Sequence, residues 1–228
     1  MEQLHNGFTL ELCQGAFPLS TDSMALSGFV RLPKDAKVLD LGAGCGTLGL
    51  LLCANDPNCT VTGVEIDEKA HQAALQNIAA NDLTNRLTSI CTDIRTVPSV
   101  LTPGSFHCCV SNPPYFSANQ ESANSAARHE LQCALDDLFA AAAWAIKFGG
   151  DFFLVHKPDR LAELCVYAAK HKLEPKRLLL LRHRPGDPIS LVLLQCRKGA
   201  KPSLKIEEEC LQDAEGNPSA YYRRLYHI

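Results

Sequence analysis

Val38-Leu39-Asp40-Leu41-Gly42-Ala43-Gly44-Cys45-Gly46-Thr47-Leu48-Gly49-Leu50-Leu51 is the stretch on which the fold turns. Val38–Leu41 reads as a buried strand, and Gly46–Ala54 reads as a helix. Between them lie three glycines in the spacing G-x-G-x-G. Glycine at such a turn lets a ligand approach the backbone closely. In an open parallel sheet, ligands sit beyond the carboxyl ends of the strands, where this turn falls. A dinucleotide fingerprint would need glycine at position 47, which is Thr47, so the turn makes less provision for a pyrophosphate.

Outward from this unit the alternation continues. Thr60–Glu65, Leu87–Thr92, Phe106–Ser111 and Asp151–His156 read as strands. Glu68–Asn81, Leu131–Lys147 and Arg160–His171 read as helices, with Gly149-Gly150 stopping the second. Leu178–Arg182 and Ile189–Cys196 flank Arg184-Pro185-Gly186-Asp187-Pro188, a turn that pairs them antiparallel. The pattern predicts an α/β fold: a doubly wound, mostly parallel seven-stranded sheet of Rossmann type with a C-terminal antiparallel hairpin. Ahead of it, Ser20, Thr21 and Asp22 cap a short helix through Met24, Leu26 and Phe29, which Pro33 stops. Residues 1–33 read as a polar-to-mixed entry segment ahead of the main body at 34–228, in a chain expected to form a single domain overall.

Composition narrows the function classes. The chain of 228 residues is 46% hydrophobic and 21% charged, enough for one full core. No apolar run approaches the roughly 18 residues of a spanning helix. The N-terminus lacks a basic-then-apolar signal pattern, so a cytoplasmic protein with no membrane partner is expected. The eleven cysteines form no C-x-x-C pair. They read as reduced, small hydrophobes, and no metal is expected. Charge is uneven. Residues 1–150 hold 8 Lys and Arg against 15 Asp and Glu, a net of −7, whereas residues 151–228 hold 14 against 10, a net of +4. The surplus gathers at Lys170, Lys172, Lys176, Arg177, Arg182 and Arg184. It reads either as a solvated face or as a surface for phosphate backbones.

Two acids complete a nucleoside pattern. Glu65 ends the second strand, nineteen residues after Gly46, where a carboxylate accepts both ribose hydroxyls. Asp93 ends the third and can accept from an adenine amino group. Either acid alone could be a helix cap or a solvated strand end. Three features at successive strand ends describe an adenosine-shaped pocket.

Asn112-Pro113-Pro114-Tyr115 follows the fourth strand. Consecutive prolines fix the backbone and remove two N–H donors. The Asn112 side-chain oxygen and the Pro113 carbonyl are left as acceptors suited to a planar –NH2 group. Holding both N–H bonds draws that nitrogen toward tetrahedral geometry and aims its lone pair. Tyr115 offers an aromatic face for stacking. The bland alternative is a proline turn.

With these motifs in place, the chain resembles the class I S-adenosylmethionine-dependent amino methyltransferases. The likeness spans roughly residues 15–197. Within that family, N-P-P-Y occurs in adenine N-methyltransferases and in glutamine side-chain methyltransferases acting on release factors. The bacterial tRNA1(Val) adenine-37 N6-methyltransferase group is more similar. Phe17-Pro18-Leu19-Ser20-Thr21-Asp22-Ser23 resembles its cover over the cofactor. Ala127-Arg128-His129-Glu130 resembles its substrate-side loop, and His156-Lys157-Pro158-Asp159-Arg160-Leu161 is also similar. Only 39 residues precede Asp40, too few for the helical N-terminal domain usual in the release-factor enzymes. Cys45 stands where several relatives carry Ser or Thr, at a position where the backbone does the binding.

The resemblance implies S-adenosylmethionine as cofactor, leaving S-adenosylhomocysteine. Asp40, Gly42, Ala43, Gly44, Gly46, Glu65, Ile66, Asp93, Ile94, Asn112, Thr21 and Asp22 would hold it. Asn112, Pro113 and Tyr115 would be catalytic. Arg128, His129, Lys176, Arg177, Arg182 and Arg184 would bind a tRNA partner, with a monomer favoured. The implied reaction methylates the N6 amine of a tRNA adenine, at position 37 of tRNA-Val. The rivals are a glutamine amide of a release factor, another RNA or DNA amino group, a nicotinamide-dependent oxidoreductase, and an RNA-binding module without catalysis. The oxidoreductase lacks a phosphate-compatible glycine loop, and the intact N-P-P-Y disfavours the module.

Overall fold

The structure is a computed structural model that describes residues 2–4, 6–12, 19–114 and 135–228. An eight-stranded sheet forms its centre. In chain order its strands are β3 (Lys37–Leu41), β4 (Thr60–Glu65), β5 (Leu87–Cys91), β6 (Phe106–Ser111), β7 (Ile146–His156), β8 (Leu173–Arg182), β9 (Ile189–Lys198) and β10 (Lys205–Cys210). Across the sheet they run β10-β8-β9-β7-β6-β3-β4-β5. Only β9 is antiparallel to its neighbours. A separate ribbon pairs β1 (Glu2–Gln3) with β2 (Thr9–Leu10). The chain winds from β3 outward through β4 and β5, then returns to the other side of β3 with β6. Between β3 and β6 the direction of winding reverses, which opens a crevice at their carboxyl ends.

Alternation along the central strands sorts side chains onto two faces. Val38, Cys108 and Phe153 join one core cluster, and Leu39, Cys109 and Phe152 the other. The adjacent cysteines thus point in opposite directions. The first face is covered by α1 (Thr21–Phe29), α2 (Thr47–Asn55) and α3 (Glu68–Ala80). The second is covered by α4 (Val97–Val100), α5 (Leu135–Ala145) and α6 (Leu161–Lys170). Six of the nine cysteines among the described residues are buried, and all nine are free thiols.

The seven expected strands are present, with two corrections to their surroundings. The helix expected to run to Lys147 ends at Ala145, and Gly149-Gly150 lies inside β7 rather than stopping a helix. A Cβ at Gly150 would meet the His107 carbonyl oxygen at 2.8 Å, so glycine is required where β7 closes on β6 across a register shift. The second correction is β10, an eighth strand parallel to β8 at the sheet edge. Its sequence, Lys-Ile-Glu-Glu-Glu-Cys, carries the charge that blunts an exposed edge.

The final segment seals the first core. Leu211, Tyr221 and Leu225 are buried, the last two on α7 (Ala220–Tyr226). Leu225 lies so close to Gly28 that a Cβ there would meet its Cδ2 at 2.4 Å. Burial of three such side chains stabilises the fold by about 5–8 kcal/mol, a large share of a domain's usual 5–15 kcal/mol. Removing residues 199–228 is therefore expected to give a chain that aggregates in gel filtration and loses its cooperative urea transition. An unchanged urea midpoint would show that the segment is not part of the core.

Candidate active site at the carboxyl edge of the sheet

Each strand end delivers one element to the crevice. β3 ends in the glycine turn, whose backbone is left-handed at Gly42 (φ 76°), Gly44 (φ 55°) and Gly46 (φ 84°). These angles select glycine. A Cβ on Gly42 or Gly44 would meet nothing within 4 Å, so the outer face of the turn is open. Its inner face is tied down. The Gly42 and Ala43 N–H groups both donate to the Val64 carbonyl, at 2.9 and 3.0 Å.

Glu65, at the end of β4, is buried and accepts from the Gly44 N–H at 2.7 Å. Its other oxygen accepts from the Asp67 N–H at 2.8 Å. The carboxylate thus sets the height of the glycine turn, while a carboxylate pair of oxygens has acceptor capacity for further donors. Ile66 beside it is 51% exposed, an apolar side chain presented at the rim.

Asp40 is the most unusual group in the crevice. It is buried, and neither carboxylate oxygen has a hydrogen-bond partner. Burial, reinforced by the nearby Glu65 charge, pushes its carboxyl from 3.8 up to about 7. The Gly49 amide opposes the shift from a geometry too loose to count as a hydrogen bond.

Asp93 caps a 3-10 turn, Ile94–Thr96, accepting from the Arg95 N–H at 2.8 Å. The Arg95 guanidinium also pairs with both its oxygens, which holds this carboxyl below its usual range. Ile94 is buried beneath it. Of the two sequence readings of Asp93, the cap is the one seen in the structure, on a side chain that follows the end of β5.

β6 ends in Ser111-Asn112-Pro113-Pro114. The Ser111 hydroxyl is buried and donates to the Leu41 carbonyl at 2.7 Å, locking the end of β6 to the start of the glycine turn. The Asn112 Nδ2 donates to the Ser23 Oγ at 3.0 Å. That bond turns the carboxamide so that Oδ1 lies on its other side. Ser23 is itself buried in the first turn of α1, whose N-cap Ser20 accepts from the Ser23 N–H at 3.3 Å. Thr21 and Asp22 share that turn, half-buried beside the crevice. His156 closes β7, and burial pushes its imidazole down, toward the neutral form.

The structure therefore brings together Asp40, Gly42, Ala43, Gly44, Gly46, Glu65, Ile66, Asp93, Ile94, Asn112, Pro113, Thr21 and Asp22. Tyr115, Arg128 and His129 lie outside the described residues. Ser23 and Ser111 were missed by sequence reasoning. A serine bonded to an asparagine 89 positions away carries no local signal.

The basic residues are not brought together. β8 runs about 30 Å from one sheet edge to the other, with Lys170 and Lys172 before its amino end and Arg182 and Arg184 at its carboxyl end. Most of these cations have protein partners. Arg177 pairs with Glu207 at 3.1 Å and stacks on Phe29, its guanidinium carbon 4.4 Å from the ring centroid. Lys176 donates to the Lys201 carbonyl at 2.9 Å, and Lys170 to Asp136 at 2.7 Å. Arg182 lies 3.6 Å from Glu208, and Arg184 donates to Gln212 at 2.7 Å.

Known proteins match this arrangement. The family described as the methyltransferase small domain matches residues 22–166. A tRNA1(Val) (adenine(37)-N6)-methyltransferase from Aeromonas hydrophila is 30% identical over 92% of this chain and 89% of its own. One of the same description from Bacteroides fragilis is 29% identical over 82% and 80%. Among solved structures, a predicted O-methyltransferase from Agrobacterium tumefaciens superposes with a TM-score of 0.77 at 20% identity. The superposition covers 91% of this chain and 96% of that one.

The Asp40 geometry has a measurable consequence. Its folded pKa lies above its unfolded value, so the folded state holds the proton longer. Stability is accordingly expected to fall as pH rises from about 4 to about 7, by up to about 4 kcal/mol from this group. Comparing urea unfolding of wild type and Asp40→Asn across that range isolates it. Parallel pH profiles would mean that Asp40 ionises normally.

Proposed function

We infer the reaction from one premise: the chain belongs to the methyltransferase small domain family. It is a methyltransferase, and its methyl donor is S-adenosylmethionine. The described residues fit that donor. The glycine turn leaves an open face, Glu65 sits at the distance along the chain expected of a ribose-binding acid, and Asp40 keeps two buried, unpartnered oxygens. The adenosine part belongs with Glu65, Ile66, Asp93 and Ile94. The methionine part belongs with Asp40, the glycine turn and the start of α1. When bound, the cofactor supplies a methyl group on a positively charged sulfur.

The acceptor is the exocyclic N6 amine of an adenine in tRNA, with position 37 of a valine tRNA as the specific target. One observation carries a planar amine as acceptor: the Asn112 carboxamide, oriented by Ser23 and followed by two prolines, stands one hydrogen bond from the glycine turn through Ser111. Adenine in tRNA is favoured by the relatives described as tRNA1(Val) (adenine(37)-N6)-methyltransferases. Asn112 Oδ1 and the Pro113 carbonyl accept the two N–H bonds of the amine. The nitrogen lone pair then points at the methyl carbon. The new N–C bond forms as the C–S bond breaks, its electron pair stays on sulfur, and the extra proton leaves the methylated amine for water. No strong base is needed, because that nitrogen is acidic while it carries the positive charge. Alignment of two held partners can lower the barrier by roughly 7–11 kcal/mol. An adenine already in an anticodon loop is extruded at less cost than one in a duplex. Tyr115 would stack on it, and Arg128 and His129 would face the RNA. Such an acceptor places the work in the cytoplasm.

Asn112→Ala is expected to reduce methyl transfer to tRNA at least about a hundredfold, with donor affinity held within about threefold. Labelled donor incubated with total tRNA or with a release factor, followed by mass spectrometry for N6-methyladenosine, checks both activity and acceptor. Label on the protein, or near-normal turnover by the variant, would overturn the assignment.

A further inference from the structure

A single buried carboxamide joins the N-terminal ribbon to the glycine turn. Asn77 lies on α3 and is 2% exposed. Its Oδ1 accepts from the Glu11 N–H at 2.8 Å. Its Nδ2 donates to the Glu11 carbonyl at 2.8 Å and to the Cys45 carbonyl at 2.9 Å. One turn further along α3, Asn81 makes the same two-way grip on residue 9: its Oδ1 accepts from the Thr9 N–H at 2.7 Å, and its Nδ2 donates to the Thr9 carbonyl at 2.8 Å. Two side chains thus imitate a neighbouring strand along the free edge of β2. Asn81 holds the ribbon and donates as well to the Asn77 carbonyl one turn back, at 2.7 Å. Asn77 alone also holds the turn.

The ribbon reaches the opposite wall of the crevice as well. Leu4 and Leu10 anchor it in the core, and Glu2 pairs in register with Leu10. The Glu2 carboxylate accepts from the Leu19 N–H at 3.4 Å, just before the Ser20 cap of the helix that orients Asn112. From Cys45 to Asn112 there is a continuous course through Asn77, Glu11, the ribbon, Leu19 and Ser23.

We propose, on the assignment of the glycine turn to the methyl donor, that Asn77 is a positioning residue. It couples the seating of the N-terminal ribbon to the donor-binding form of the glycine turn, so that each favours the other. Three properties support this. The Cys45 carbonyl sits between two left-handed glycines, Gly44 and Gly46, so a hydrogen bond to it fixes a peptide that its own sequence leaves free to turn. Both ends of the coupling share one rigid amide plane, so a shift at Glu11 reorients the donor at Cys45. And the ribbon hydrogen-bonds only two strands deep, which leaves its seating to these side-chain grips together with the buried Leu4 and Leu10.

The test uses the full chain and S-adenosylhomocysteine as probe, with calorimetry for affinity and hydrogen exchange for residues 9–12. Asn77→Ala and Asn77→Asp are each expected to weaken the probe about 3- to 10-fold, the effect of one hydrogen bond. Probe binding is expected to slow exchange at residues 9–12 in wild type and to leave it unchanged in either variant. Glu11→Pro, which removes the partner N–H without touching α3, is expected to weaken the probe by a similar factor. Combining it with Asn77→Ala should add little, as for residues in one network. A wild-type chain that does not bind the probe overturns the donor assignment and the coupling with it. Wild-type affinity in the variants, or additive losses with ligand-responsive exchange intact, overturns the coupling alone.

Discussion

The crevice exists because β3 and β6 lie side by side although 64 residues separate the end of one from the start of the other. Parallel pairing puts both carboxyl ends at the same edge, and the Ser111–Leu41 hydrogen bond carries that pairing past the last ladder position. Without it, the glycine turn and Asn112 would be two loops on one sheet, each free to drift. Methyl transfer needs two atoms held about van der Waals distance apart, and loops without bracing do not hold such distances. The remaining supports, Glu65 under Gly44 and Ser23 against Asn112, act on a geometry this pairing has already established.

Asp40 shows what the site costs the fold. A carboxyl group buried without a donor is among the more expensive arrangements a core can contain. Its position beside Glu65 increases the cost. The surrounding sheet tolerates it because the two core clusters on either face are large and continuous. Both of its oxygens stay buried without a hydrogen-bond partner, so their acceptor capacity is unused within the protein. A residue with its polar atoms paired would strengthen the protein at this position.

Much of this was legible in the sequence. The strand–glycine–helix unit at 38–54 announces itself through hydrophobic run, glycine spacing and length, all of which are local. Glu65, Asp93 and Asn112 follow from counting to the next strand end. What was hidden has physical reasons. β10 is polar because an edge strand buries little, so the alternation that reveals inner strands is missing. β8 begins at Leu173 behind Glu174-Pro175-Lys176-Arg177, whose polarity masked five residues of strand. Gly149-Gly150 has the sequence of a helix stop but serves close strand approach. Asn77 and Asn81 read as ordinary polar positions on a helix, since a carboxamide that pairs with distant backbone leaves no periodic trace.

The basic residues carry the most instructive lesson about charge. Their surplus in the last third of the chain looked like one surface, but a strand distributes its residues over its whole length and both faces. Arg177 is committed to Phe29 and Glu207, and so it braces α1, the helix that orients Asn112. Its contribution to catalysis would be indirect, through the acceptor's support. Of that surplus, Arg182 and Arg184 lie at the carboxyl end of β8, the edge at which the crevice opens. Where a charge sits along the sequence therefore says less about its surroundings than where the topology puts the strand end that carries it.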